Sequence, residues 1–137
     1  MTRAFVVFSG AVLFALPGCF VSTNDPAPVA VSNASGSLTV DWTINNSTDP
    51  NQCNQSVAAD IDLIVVSPNG ATVDEVTQPC VDGVTTVALS PGAYEANAAL
   101  IDGAGTERTT WLNIDPFTIH SGSDLSISVD FPANSFK

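Results

Sequence analysis

A chain of 137 residues with 14 acidic against 3 basic side chains has room for one ordinary domain and carries a formal charge of −11 at pH 7. That charge repels nucleic-acid phosphates and anionic headgroups, so nucleic-acid binding is excluded. One His and three Cys are too few soft ligands for a structural zinc site or a histidine-rich transition-metal site.

Met1-Thr2-Arg3 is a short basic start, and the apolar run from Ala4 to Leu16 is broken only by Ser9 and Gly10. It is shorter than the roughly 20 apolar residues a spanning helix needs and has the form of an export signal. Leu16-Pro17-Gly18-Cys19 follows. This run resembles the lipobox of bacterial lipoproteins: an aliphatic residue three before the cysteine, a small residue directly before it, and at Pro17 a less usual occupant between them. The resemblance implies cleavage before Cys19, a diacylglycerol thioether on its sulfur and usually a third, amide-linked chain. Each buried methylene contributes roughly 0.8 kcal/mol, and two or more chains anchor stably, so the implied partner is a membrane, reached through Cys19. Phe20 stands where many inner-membrane lipoproteins carry aspartate, which implies the outer membrane of a bacterial envelope. Residues 1–18 are then a helical signal peptide and 19–36 the lipidated cysteine and an extended tether, marked by Asn24-Asp25-Pro26-Ala27-Pro28.

From residue 37 to 137 the pattern is period two, which predicts strands with one buried face. Leu38, Val40, Trp42 and Ile44 alternate with polar residues in the first strand. Ile61–Val66 is the second, and Ser67-Pro68-Asn69-Gly70 is a turn because proline presets one position while Asn and Gly accept positive φ. Ala71–Thr77, Val84–Leu89 and Ala93–Ile101 follow, then Glu107–Ile114, and Leu125–Phe131 closes the series before Pro132. About seven short strands without a helical stripe predict one all-β domain, an antiparallel β-sandwich. The predicted core adds Val87, Leu89, Tyr94, Ala96, Ala98 and Leu100 to the alternating residues of the first, second and last strands. Ala96 and Ala98 leave room for Trp42 or Trp111. Leu89-Ser90-Pro91-Gly92-Ala93-Tyr94 resembles the L-x-P-G-x-Y turn of bacterial immunoglobulin-like and transthyretin-like domains; it implies such a sandwich and no particular function.

Three cysteines are an odd number for an exported chain, and lipidation of Cys19 removes the oddity. Cys53 and Cys80 remain, expected as one disulfide in an oxidising compartment. A two-residue hairpin at Pro68-Asn69 would set Asp62 opposite Glu75, with Asp60 on the same face and Asp74 nearby. Facing like charges destabilise a strand pair unless a cation or water screens them. Oxygen-only ligands select calcium, so Asp60, Asp62 and Glu75 are the candidate Ca²⁺ ligands, against the alternative of a solvated acidic face. His120, Ser121, Ser123 and Asp124 suggest nucleophilic chemistry, but no G-x-S-x-G elbow presents a serine and a polar loop accounts for the run. The polar loop Asn45–Ser56, pinned at Cys53, is the expected contact surface. Trp111 is either buried or an aromatic anchor for a protein or sugar. The expectation is a non-catalytic, membrane-anchored envelope lipoprotein with a binding or structural role, its further partner an envelope protein or glycan. The alternative is a calcium-dependent adhesion or carbohydrate-binding module, and a small hydrolase comes third.

Overall fold

The computed structural model describes residues 34–137, so the export segment, Cys19 and most of the tether lie outside the described residues. Alternating burial drives seven strands: β1 (Gly36–Ile44), β2 (Asp60–Val66), β3 (Thr72–Pro79), β4 (Val84–Leu89), β5 (Gly92–Ile101), β6 (Leu112–Ile119) and β7 (Asp124–Phe131). A short helix, α1 (Asn51–Gln55), and two single 3-10 turns, Cys80–Asp82 and Ala133–Ser135, complete the regular structure. The strands form two sheets of order β4-β1-β7 and β3-β2-β5-β6, the expected β-sandwich. An immunoglobulin order would put β1 and β2 in one sheet. Here they lie in different sheets, so the strand order is not the immunoglobulin one.

One pairing departs from an all-antiparallel sandwich. β1 runs parallel to β7 from Ser37↔Asp124 to Ile44↔Phe131. Parallel neighbours need a long connection, and the first and last strands satisfy this because the rest of the domain lies between them.

The sixth strand begins at Leu112 rather than Glu107 and runs on to Ile119. Residues 102–111 form a loop whose backbone bonds run within it and to the C-terminal segment, Thr110 N–H donating to Ser135 O and Lys137 N–H to Arg108 O. Asp102 Oδ1 accepts the N–H groups of Ala104 and Thr106, each at 2.9 Å, and the fully buried Thr109 Oγ1 accepts Leu100 N–H at 3.0 Å. Such side-chain bonds compete with a ladder. Pro116 is tolerated inside β6 because β6 is an edge strand, and it falls where the register with β5 shifts between Tyr94 and Ala96.

The core fills as expected along β1, β2, β4 and β5, with Leu38, Val40, Ile61, Leu63 and Leu100 fully buried. Leu125, Ile127 and Val129 are only partly buried, and Phe131 alone of that strand is sealed. Trp42 enters the core; Trp111 does not, and its half-buried indole Nε1 donates to Glu107 Oε1 at 2.8 Å. Ile114, Ile119, Ala58 and both Cys53 and Cys80 join the core beyond the predicted set.

The two ends of the sandwich differ. At one, the chain enters β1 at Gly36, where a Cβ would stand 2.6 Å from His120 O, Ile119 Cγ2 and Ser123 O, so no larger residue fits. The Ser90-Pro91-Gly92 turn lies at this end. Tyr94 folds back over Gly92, and its hydroxyl donates to Ser90 O at 2.8 Å, which gives the L-x-P-G-x-Y run a mechanical reason. The other end holds the β1–β2 and β3–β4 connections, and both cross from one sheet to the other.

Candidate functional site

The acidic hairpin does not assemble the predicted pairs. Asp62 faces Thr77, Glu75 faces Ile64 and Asp60 faces Pro79. The turn is longer than two residues: Ser67 N–H donates to Ala71 O at 2.9 Å, and the register slips between Val65 and Val66. An even shift preserves the face, so Asp62 and Glu75 remain diagonal neighbours. Asp74 pairs with buried Val65 and therefore points to the opposite, inner face. Burial first, and the Glu75 charge second, hold the Asp62 carboxyl above the usual aspartate range. Its Oδ1 is buried without a hydrogen-bond partner. No group of three or more His, Cys, Asp or Glu that could hold a metal ion forms among the described residues. The three candidate calcium ligands are thus not brought into one site.

The His120 segment is bonded as a turn. His120 N–H donates to Ser123 Oγ at 3.1 Å, and that hydroxyl donates back to His120 O at 2.9 Å. Asp124 Oδ1 takes the Ser37 hydroxyl at 2.5 Å. Serine and carboxylate therefore serve the turn and β1, and the serine meets the histidine backbone rather than its ring.

Cys53 and Cys80 form the expected disulfide, with Cα atoms 5.9 Å apart, inside the range an unforced bridge needs. Cys53 sits on α1 in the β1–β2 connection, and Cys80 opens the 3-10 turn of the β3–β4 connection. The bond therefore staples the two crossovers together. The expected contact loop is well built. Asn45 and Asn46 both have positive φ, and Ile44 and Ser47 exchange backbone bonds around them, the signature of a type I′ turn. α1 ends on a Schellman pattern: Val57 N–H to Asn54 O at 3.2 Å and Ala58 N–H to Cys53 O at 2.9 Å. The left-handed residue of that motif is normally glycine, yet here it is Val57, at φ 56° and 61% exposed.

Beside the staple lies a groove that the sequence did not single out. β1 and β4 pair only as far as Asp41↔Val84. Beyond that point the chain swings into the 3-10 turn, and Gly83 O holds β1 through Trp42 N–H at 3.0 Å. A cavity of about 450 Å³ opens there. Asp41, Trp42 and Thr43 form its floor, the turn from Val81 to Val84 one wall, and Thr48 and Pro50 the other. Trp42 Nε1 donates to Cys80 O at 2.9 Å, tying floor to staple. Val81 and Val84 are 49% and 43% exposed, two of four exposed large apolar side chains among the described residues. Asp41 Oδ2 accepts the Ser128 hydroxyl at 2.6 Å, and Asp82 accepts Gln78 Nε2. No Lys, Arg or His lines the cavity. The Val-Asp-Gly run before β4 is a turn signal, but tertiary bonds, the Cys53–Cys80 disulfide and the Trp42 bonds to Cys80 O and Gly83 O, bring that turn beside residues 48–50.

No family model matches the chain, and no curated protein matches it in sequence. Among solved structures it is similar in fold to the Bacillus anthracis TIE protein, at 12% identity and a TM-score of 0.53, covering 72% of this chain and 17% of that one. A Bacteroides ovatus protein named as a candidate adhesin aligns at 10% identity and a TM-score of 0.42, over 70% of this chain and 44% of the other. The chain therefore spans less than half the length of either neighbour. The first likeness shows the fold alone.

Proposed function

We propose that this protein is a lipid-anchored lipoprotein of the bacterial cell envelope, held at the outer membrane through Cys19 and displaying its sandwich for binding or structural work rather than catalysis. The observation that carries the proposal is the Cys53–Cys80 disulfide. It fits an oxidising compartment, and it leaves Cys19, the cysteine of the lipobox-like Leu16-Pro17-Gly18-Cys19 run, as the unpaired third. The geometry of the domain supports display: the chain enters at Gly36, and the groove is lined by Asp41 to Thr43 toward the far end of β1, about 17 to 23 Å away at 3.3 Å per residue. The use of Ser123 and Asp124 as turn and ladder bonds supports a non-catalytic role.

The test is fractionation of cells expressing the full chain and its Cys19→Ala variant. The wild type is expected in the detergent-soluble membrane fraction and labelled by a palmitate analogue. The variant is expected to lose the label and to be released from the membrane. Unchanged membrane fractionation, or an unacylated Cys19 in the natural protein, would overturn the proposal.

A further inference from the structure

We infer that the groove at the disulfide end is a docking site for an extended basic peptide segment, one in which lysine or arginine alternates with aliphatic residues. The inference stands apart from lipidation, since it rests only on the described domain. Three observations carry it. The first is shape: where β4 leaves β1, an open cavity of about 450 Å³ remains, large enough in volume for side chains of a partner. The second is chemistry: two carboxylates, Asp41 and Asp82, share the cavity with the exposed Val81 and Val84, and no cationic side chain lines it. Asp41 commits only Oδ2 to the protein, to Ser128, so its other oxygen can accept from an ammonium or guanidinium head. The valines and Pro50 offer an apolar strip to the aliphatic stem of that side chain and to its neighbours. The third is rigidity. The disulfide, the Trp42 indole bond to Cys80 O and the Trp42 N–H bond to Gly83 O fix floor and wall before any ligand arrives, which lowers the ordering cost of binding.

A chain of charge −11 attracts any cation weakly, so the test must separate the groove from the overall field. The probe is a labelled hexapeptide alternating lysine and valine, titrated by fluorescence anisotropy against the full chain in detergent, with a glutamate–valine hexapeptide and tetralysine as comparisons. Saturable binding of the lysine–valine peptide alone is expected. Asp41→Asn with Asp82→Asn should weaken it at least tenfold, and so should Val81→Ser with Val84→Ser, whose exposed positions leave the core untouched. Glu75→Gln with Glu95→Gln removes the same charge from the outer face of the other sheet and should leave the affinity within twofold. Equal losses in the two charge-removing double variants, or an unchanged affinity in the valine pair, would mean binding by general charge and would overturn the proposal. So would equal affinity for tetralysine, or the absence of saturable binding at millimolar peptide.

Discussion

The two ends of this sandwich are closed by different physics. At the Gly36 end, short turns do the work. Pro91-Gly92 turns the chain, Tyr94 bonds back to Ser90 O, and Ser123 locks the His120 turn. Each device acts within about four residues of sequence. At the other end, the long crossover 45–59 would expose unpaired backbone and carry a loop-closure cost, and a covalent bond across 27 residues ties it to the short crossover 80–83. A local closure costs little to specify and leaves a smooth surface. A stapled closure leaves a gap between the stapled pieces, and that gap is the groove.

Removing the staple is the largest expected perturbation. Cys53→Ser and Cys80→Ser should each lower unfolding free energy by about 3 kcal/mol, because either loss opens the same loop. Urea unfolding under oxidising conditions checks this, and the two variants should match within error. Both should also weaken peptide binding at the groove, whose wall begins at Val81, next to Cys80. At the opposite end Tyr94→Phe removes one hydrogen bond and keeps the ring against Phe117, 6.0 Å away between centroids. It should cost about 1 kcal/mol and leave peptide binding at the groove unchanged. If Tyr94→Phe proved as damaging as losing the disulfide, the division between local and stapled ends would be wrong.

How much of this was legible follows the same division. The alternation of β1, β2, β4, β5 and β7 marked the strands because each buries one face on the core, and Pro91-Gly92 and Asn69-Gly70 marked turns by backbone chemistry. The pairing of Cys53 with Cys80 followed from counting cysteines. What sequence did not show was anything set by tertiary bonds. Thr109 looked like a strand residue, yet its hydroxyl caps Leu100 and keeps 102–111 a loop. Asp62 and Glu75 were given the right face and the wrong partners, since the face depends only on parity while the partners depend on how many residues the turn consumes. The groove was least legible, because Asp41 and Asp82 lie on segments that meet only once β4 diverges and the disulfide closes.

A smaller effect sharpens the stapled end. Val57 holds a left-handed conformation that a β-branched side chain disfavours. Val57→Gly should raise stability by about 0.5 to 1 kcal/mol, the gain of an unstrained Schellman position less the entropy glycine adds to the unfolded chain. A loss in urea unfolding would instead show that the exposed valine makes a contact worth more than its strain.

The smallest expected effect is carried by charge, and its sign differs between two carboxylates. Asp62 is held above the ordinary aspartate range by burial and by Glu75. An acid whose folded pKa is raised keeps its proton better when folded. Its contribution to stability is therefore complete below the ordinary value and lost as pH climbs through the raised one. Near neutral pH Asp62 is a net cost, so Asp62→Asn should gain about 0.5 kcal/mol there, the scale of a cross-strand like-charge contact, and little near pH 3. Glu107 has the opposite sign: the Lys137 ammonium and the Trp111 indole hold its carboxyl below the usual range. Its contribution is present above the ordinary glutamate value and lost as pH falls, so Glu107→Gln should reduce stability near neutral pH and not in acid. Urea midpoints at the two pH values test both together. A neutral-pH loss in Asp62→Asn, deepened by added calcium chloride that stabilises only the wild type, would mean that a cation binds the β2–β3 face after all. Gains and losses of the stated signs mean that this carboxylate is a repulsive patch, and that favourable carboxylate contacts lie in the 102–111 loop.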